Sequence, residues 1–418
     1  MKIDHYIIRG KRRLSGELTV QGAKNSLLPV LAAVVLTDGK SLIRNAPDLT
    51  DTESAVCILR ELGCSVVRQG RDLLIDPSNL SSAEISPTLC RSMRSSVVFL
   101  GPLLARCQKA VLSLPGGCRL GERPIDLHLA GLTKMGAEIL WEDDRLICTA
   151  PAGLKGTEIT MPFPSVGATE NLMMAAALAK GTTLLTGCAK EPEIVDLAAF
   201  LNRCGARIEG SGSTVMRITG ADRLSGCAYS IMGDRIAAMT YLIAAAMTGG
   251  DLTLRGIDPQ HLAQPLQKLS GTGKILSVGK DFCRIAGTVP PKSIPMIATG
   301  PYPAFPTDCL PLFLSLAAVS QGTSVFWERV FENRYASCGD LAKMGAVIYR
   351  SERAAAIRGS HLHGAAVSAQ DLRGGAGLVL AALAAEGTTT VSNIAWIERG
   401  YERFCETLSD LGAEIRKE

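Results

Sequence analysis

Residues 113–128 read SLPGGCRLGERPIDLH and place a cysteine among glycines and arginines. Cys118 follows Gly116 and Gly117 and precedes Gly121, so the backbone around it is permissive. Arg119 and Arg123 lie one and five residues on, and nearby positive charge favours the nucleophilic thiolate. The same residues are compatible with a thiol packed beside a turn, since cysteine commonly serves as a small hydrophobe. Asp308 stands in FPTD, directly before CLPLFLSLAAV, where it reads as the N-cap of an apolar helix. His361 and His363 form an H-L-H, which suits either a metal ligand pair or a solvated strand face. The 13 cysteines include no CxxC pair, and the 5 histidines form no HExxH or zinc-finger spacing.

These groups sit in a chain of 418 residues that is 47% hydrophobic, long enough to predict two domains. Its 44 basic residues are balanced by 40 acidic ones, and a net charge of +4 gives no argument for nucleic acid. The scattered cysteines suit a reducing compartment rather than a disulfide framework. The N-terminal MKIDHYIIRGKRRL lacks the apolar core of a signal peptide, and apolar runs such as SLLPVLAAVVL are too short to span a bilayer. The expectation is a soluble cytoplasmic protein that binds no membrane.

The elements that must position these residues follow an internal repeat. A helical stretch ends in an apolar residue, then glycine, then a short strand: LRELGCSVV (Gly63), LTKMGAEIL (Gly136), LNRCGARIE (Gly205), LAKMGAVIY (Gly345) and LSDLGAEIR (Gly412). A degraded copy, LQKLSGTGKIL, is placed at Gly271. In phase with these runs a nearly all-apolar helix, as in LMMAAALAKGTTLLT and LVLAALAAEGTTTVS, usually followed by glycine and a β-branched stretch. Such helices must be surrounded by protein. The prediction is an α/β chain of six units, two groups of three, with sheets outside and helices within.

Ten segments in order carry a resemblance over essentially the whole chain: QGAKNS, SMRSS, LPGGCRLGERPIDLH, FPSVGATEN, EPEIVDL, DRIAA, PYPAFPTD, FENR, DLR and ERGYE. Together they resemble the enolpyruvyl transferases, and among them the members that act on a nucleotide sugar. The resemblance implies a two-domain inside-out α/β barrel of six βαβαββ-type units. It implies one domain from residues 1–22 with 232–418, on the side of the catalytic base, and a second from residues 23–231, which carries the Cys118 loop. The active site is expected in the cleft between them. The implied reaction moves the enolpyruvyl group of phosphoenolpyruvate to the 3'-hydroxyl of UDP-N-acetylglucosamine and releases phosphate, the first committed step of peptidoglycan synthesis.

Such a reaction must hold a carboxylate, a phosphate and a diphosphate, which calls for several cations. By resemblance Lys24, Arg123 and Arg399 hold the phosphate of phosphoenolpyruvate, Arg373 its carboxylate, and Arg94 lies near the diphosphate and sugar. Asp308 matches the proposed base at the sugar hydroxyl, and Cys118 the donor of a proton to C3. Lys24 and Arg399 complete the catalytic set. Asn25 is expected at the sugar and phosphoenolpyruvate, and Arg123, Pro124, Ile125, Asp126 and Leu127 around the uracil. Ser165, Val166 and Gly167 are expected to offer backbone donors to the diphosphate, with Val330, Glu191 and Asn333 lining the cleft. The loop glycines would let Cys118 close over substrate. No metal and no cofactor are implied, apart from a covalent phosphoenolpyruvate adduct on Cys118, and no obligate protein partner is inferred. Fosfomycin is the implied alkylating inhibitor of this thiol.

The chain departs from the usual family text at Cys309-Leu310, where Met-Gln is common, and at Gly374-Gly375, where serine and alanine follow DLR. Gly233 replaces a usual proline and Met239 a usual glycine. Two alternatives therefore stand beside the main reading: a catalytically weak paralogue that binds UDP-N-acetylglucosamine, and the shikimate-pathway enolpyruvyl transferase.

Overall fold

The computed structural model describes residues 4–113, 124–287 and 290–418; the side chain of Arg94 is outside that description. Among the described residues, six apolar helices alternate with six amphipathic ones, beside the short helices Pro87–Ser92 and Ala395–Glu398. Residues 22–232 contribute α1 (Lys24–Val34), α2 (Thr50–Glu61), α3 (Leu100–Cys107), α4 (Asp126–Lys134), α5 (Val166–Ala176) and α6 (Pro192–Arg203). The rest contributes α7 (Arg235–Thr248), α8 (Ala263–Ser270), α9 (Leu310–Ala318), α10 (Cys338–Lys343), α11 (Leu372–Ala384) and α12 (Phe404–Asp410). The odd-numbered helices are the apolar ones. Every residue of α9 is buried, as all-round hydrophobicity demands. α6 instead turns Ile194, Leu197, Ala198 and Leu201 inward and leaves Asn202 and Arg203 exposed.

Glycine ends the amphipathic helices because the chain reverses there through positive φ, which a Cβ would strain. Gly63, Gly136, Gly205, Gly345 and Gly412 have φ of 102°, 99°, 106°, 95° and 101°. The expected sixth glycine, Gly271, is instead right-handed at φ −58°, and Gly273 at 83° makes the reversal. Buried Thr272 donates its Oγ1 to Leu269 O at 2.6 Å and delays the turn.

Each repeat yields a four-stranded sheet with one pairing scheme: an edge strand parallel to the next, then two antiparallel pairings. Thus Glu158–Thr160 runs parallel to Thr182–Thr186, which pairs antiparallel with Val215–Thr219, and that in turn with Arg207–Glu209. Two compact units each hold three such sheets around their own apolar cluster. One consists of residues 4–21 with 233–418, the other of residues 22–113 with 124–232. Each is closed by a strand distant in sequence. Ala228–Ser230 runs parallel to Ser41–Arg44 in the second unit. In the first, His5–Arg9 lies between Thr388–Ser392 and Glu414–Lys417, while Ser15–Thr19 runs parallel to Asp251–Arg255. Among the described residues no helix is long and apolar enough to cross a membrane.

Candidate active site

In the unit of residues 22–232, Lys24 and Asn25 open α1. Lys24 Nζ donates to Asp51 Oδ2 at 3.0 Å, from a side chain only 13% exposed, while Asn25 faces solvent. Ser26 Oγ donates to Asp196 on α6, and Tyr229 OH donates to the other oxygen of that carboxylate at 2.6 Å. Burial raises the Asp196 pKa, against the two hydroxyl donors. The start of α1 is therefore gripped by carboxylates from α2 and α6.

A second group joins α4 and α5. Pro124 is exposed and Ile125 half-buried ahead of α4, whose first turn holds Asp126 and Leu127. Ser165 caps α5, its Oγ accepting from Ala168 N at 3.3 Å. Val166 and Gly167 occupy the first turn, where N–H groups have no intrahelical acceptor. His128 lies against Gly167, where an added Cβ would stand 3.1 Å from His128 Cε1. Asn171 fixes the tautomer. Its Oδ1 accepts from Gly101 N at 2.7 Å and its Nδ2 donates to Val97 O at 3.1 Å, so the same Nδ2 must donate to His128 Nδ1 at 3.0 Å. The His128 proton then resides on Nε2. Burial pushes the ring's pKa down to about 4, with Asp126 opposing, so it is neutral at pH 7. On α5, burial drives Glu170 well above the ordinary carboxylate range, aided by Glu193 and Glu191. Glu191 itself is half-buried, just ahead of α6.

In the other unit Asp308 is the hub. It is not the N-cap that its position before an apolar run suggested: Pro306 holds that place, and Asp308 lies inside the short turn Thr307–Cys309. Arginines claim the carboxylate instead. Arg334 Nη2 donates to Asp308 Oδ1, and Arg373 Nε stands 3.5 Å from Oδ2. Both guanidiniums are buried, at 1% and 4% side-chain exposure. Burial works against the charge of Arg373, yet Tyr401, Asp308 and Asp234 hold its pKa above the usual arginine value. Its ring contact is Tyr401, 5.3 Å away, and its buried Nη1 has no hydrogen-bond partner among the described residues. Glu328, fully buried, accepts from Thr299 Oγ1 and Thr307 Oγ1, each at 2.9 Å, and from Val330 N at 2.6 Å. One carboxylate thus ties Val330 to the turn that carries Asp308. Arg399 ends the short helix Ala395–Glu398 with its guanidinium over Trp396 at 5.4 Å, and Asn333 is exposed.

The sequence profile of the EPSP synthase (3-phosphoshikimate 1-carboxyvinyltransferase) family matches residues 8–408. A UDP-N-acetylglucosamine 1-carboxyvinyltransferase 2 from Caldanaerobacter subterraneus subsp. tengcongensis is 47% identical, over 98% of both chains. The chain belongs to the enolpyruvyl transferases. A UDP-N-acetylglucosamine 1-carboxyvinyltransferase from Mycobacterium leprae is 43% identical, over 99% of this chain and 99% of that one. The crystal structure of the enolpyruvyl transferase NikO from Streptomyces tendae superposes with a TM-score of 0.90 at 26% identity, covering 99% of each chain. EPSP synthase from Acinetobacter baumannii shares the fold, with a TM-score of 0.79 at 19% identity and full coverage of both chains.

Where this enolpyruvyl transferase departs from the usual family text, close packing accounts for the glycines. Asp371 Oδ1 caps α11, accepting from Arg373 N at 3.1 Å and Gly374 N at 2.9 Å. A Cβ at Gly374 would stand 2.6 Å from Asp371 Oδ2, and one at Gly375 would stand 2.8 Å from both Ala369 Cβ and Ile397 Cγ1. A Cβ at Gly233 would meet Gly256 O at 2.0 Å. Cys309 is fully buried, and burial pushes its thiol up to about 12.

Cys118, Arg119 and Arg123 lie outside the described residues, as does the side chain of Arg94. No group of three or more His, Cys, Asp or Glu side chains among the described residues is placed to hold a metal. Arg334, Glu328, Asp51, Asp196, His128 and Asn171 were not singled out from sequence. FENR contained Arg334, but no local pattern marks which arginine of a motif turns inward.

Proposed function

We propose that the chain transfers the enolpyruvyl group of phosphoenolpyruvate to the 3'-hydroxyl of UDP-N-acetylglucosamine with release of phosphate, the first committed step of peptidoglycan synthesis. The names of its full-length relatives support this reading. The observation that carries it in this chain is Arg373: a buried guanidinium beside Asp308 with an unpartnered Nη1. A buried donor without an acceptor is costly, and a substrate carboxylate would satisfy it.

In this reading the phosphoenolpyruvate carboxylate draws Arg373 toward itself and frees a lone pair on Asp308 Oδ2. Asp308 takes the proton of the sugar hydroxyl while the hydroxyl oxygen bonds to C2. Cys118 delivers a proton to C3, giving a tetrahedral adduct. The C2–O bond to phosphate then breaks, C3 returns a proton, and the double bond reforms. Lys24, Arg123 and Arg399 neutralise the departing phosphate. In the resting chain Lys24 is occupied by Asp51, a pair the phosphate would compete with. Arg94, Asn25 and the first turn of α5 serve the sugar and diphosphate, and residues 123–127 the uracil. Val330, Glu191 and Asn333 line the site. The 12 described cysteines are all free thiols, which supports a cytoplasmic setting.

Phosphate release from phosphoenolpyruvate, measured with UDP-N-acetylglucosamine and with shikimate 3-phosphate, tests the proposal. Release with the first acceptor alone is expected. Release with shikimate 3-phosphate alone would reassign the substrate, and saturable sugar binding without turnover would make the chain a binding paralogue. The adduct on Cys118 has its own measurement: fosfomycin should label the tryptic peptide of Cys118 before the other 12 cysteines, and faster with UDP-N-acetylglucosamine present. Label spread evenly over the cysteines would remove Cys118 from the mechanism.

A further inference from the structure

The residue before the reversing glycine of the repeat is an apolar plug: Leu62, Met135, Met344 and Leu411 are all buried. In the third copy that plug is Cys204, 3% exposed, at the end of α6. Its Sγ lies 3.5 Å from the Sγ of Cys227, which is half-buried just before the strand Ala228–Ser230. The segment that carries Cys227 is already tied to the end of α6, since Ser225 N donates to Cys204 O at 2.8 Å.

We propose that Cys204 and Cys227 form a modification site in which a hydroperoxide converts the dithiol to an intrachain disulfide. The sulfurs need to close to about 2 Å, a small shift between thiols already in contact. Cys227 is the attacking sulfur. It is the half-buried member of the pair and Arg203 favours its thiolate, whereas Cys204 is 3% exposed and burial raises its pKa. Burial pushes other thiols up to about 11, alone at Cys148 and with Asp76 and Cys107 adding to it at Cys64. The Cys227 thiolate attacks one peroxide oxygen, the O–O bond breaks, and the leaving oxygen departs as water or alcohol with the proton of Cys204. The Cys204 thiolate then attacks the sulfenic sulfur, forming S–S and expelling hydroxide, which takes up the proton that Cys227 released on ionising and leaves as water. Two thiols lose two electrons and one hydroperoxide gains them.

The bond would tie the end of α6 to the strand of Tyr229. Asp196 on α6 accepts from Tyr229 OH at 2.6 Å and from Ser26 Oγ in the first turn of α1. Oxidation would therefore brace the support of Lys24 without touching the residues assigned to substrate. The inference is independent of the proposed reaction.

The full chain is treated with excess hydrogen peroxide, capped with iodoacetamide in denaturant, digested with trypsin and read by mass spectrometry. The expected product joins residues 204–207 (CGAR) to 224–235 (LSGCAYSIMGDR), is lighter by two hydrogens than the separate peptides, and separates under dithiothreitol. Cys227→Ser should leave residues 204–207 reduced and alkylated. Cys204→Leu, which restores the residue type of the other copies, should leave a sulfenic acid on Cys227 that dimedone traps. A urea transition on each variant confirms that it is folded. Overoxidised Cys227 without a linked product, or alkylation of both peptides after other cysteines have been consumed, overturns the proposal.

Discussion

Asp308 meets two buried guanidiniums, so charge rather than shape decides what it does there. Asp308→Asn keeps volume and one acceptor oxygen but removes the proton-accepting anion. We expect turnover to fall by about 10² or more, with little change in affinity for the nucleotide sugar. Steady-state phosphate release and titration of sugar binding check the two halves, and near-normal turnover would remove Asp308 from the chemistry. His128 gives a pH-dependent prediction. Its folded pKa of about 4 lies below the ordinary 6.5, so the unfolded chain binds the extra proton between those values. Stability from this group is present above pH 6.5 and lost as pH falls toward 4, by about 3 kcal/mol at most. Glu170 works in the opposite sense. Its raised pKa makes the folded chain hold a proton that the unfolded chain releases, so its contribution falls as pH rises past the ordinary carboxylate value. The clean measurement is therefore a difference: urea stability of the parent minus that of His128→Gln, at pH 7 and pH 4. The difference should shrink or reverse at the lower pH, and a constant difference would show that the ring is charged when folded.

At the scale of elements, the glycines of α11 invert a rule of helix chemistry. By propensity alone, glycine inside a helix costs about 1 kcal/mol relative to alanine. Gly377 sits where α11 crosses α9: a Cβ there would stand 2.8 Å from Pro311 O, and Ser315 Oγ donates to Gly377 O at 2.7 Å. The backbone oxygen cannot rotate away as a side chain can. Gly377→Ala is expected to destabilise the chain by roughly 1–3 kcal/mol despite the better helix former. Urea unfolding decides the sign, and a gain in stability would mean that the two helices can slide apart at little cost.

At the scale of the whole chain, the two units differ in how their strands are supplied. Among the described residues, 22–232 hold three four-stranded sheets and an apolar cluster that are complete within that range. The other unit borrows His5–Arg9 as an inner strand and Ser15–Thr19 as an edge strand from the start of the chain. A fragment of residues 22–232 should therefore fold alone, with a cooperative urea transition and dispersed amide resonances. A chain lacking residues 1–21 should lose cooperative folding in residues 233–418, because its last sheet is cut through the middle. A native-like transition from both units in that truncation would contradict the pairing.

Several features were legible in the sequence for physical reasons. All-apolar stretches such as LPLFLSLAAV had to be buried helices, and glycine ahead of each strand marked the positive-φ reversal at Gly63, Gly136, Gly205, Gly345 and Gly412. Local chemistry also showed where it would mislead. At LSGTGKIL two glycines compete, and only the burial of Thr272 selects Gly273. The acidic residue before an apolar helix reads as a cap whenever its neighbours are local, and Asp308 escapes that role through Arg334, 26 residues away, and Arg373 on another helix. The same holds for the neutral tautomer of His128, set by Asn171 43 residues later, and for the contact of Cys204 with Cys227 across 23 residues. Periodicity and glycine act along the chain and are readable from it. Charge pairing, desolvation and thiol contact depend on distances in space, and those were decided only when the chain folded.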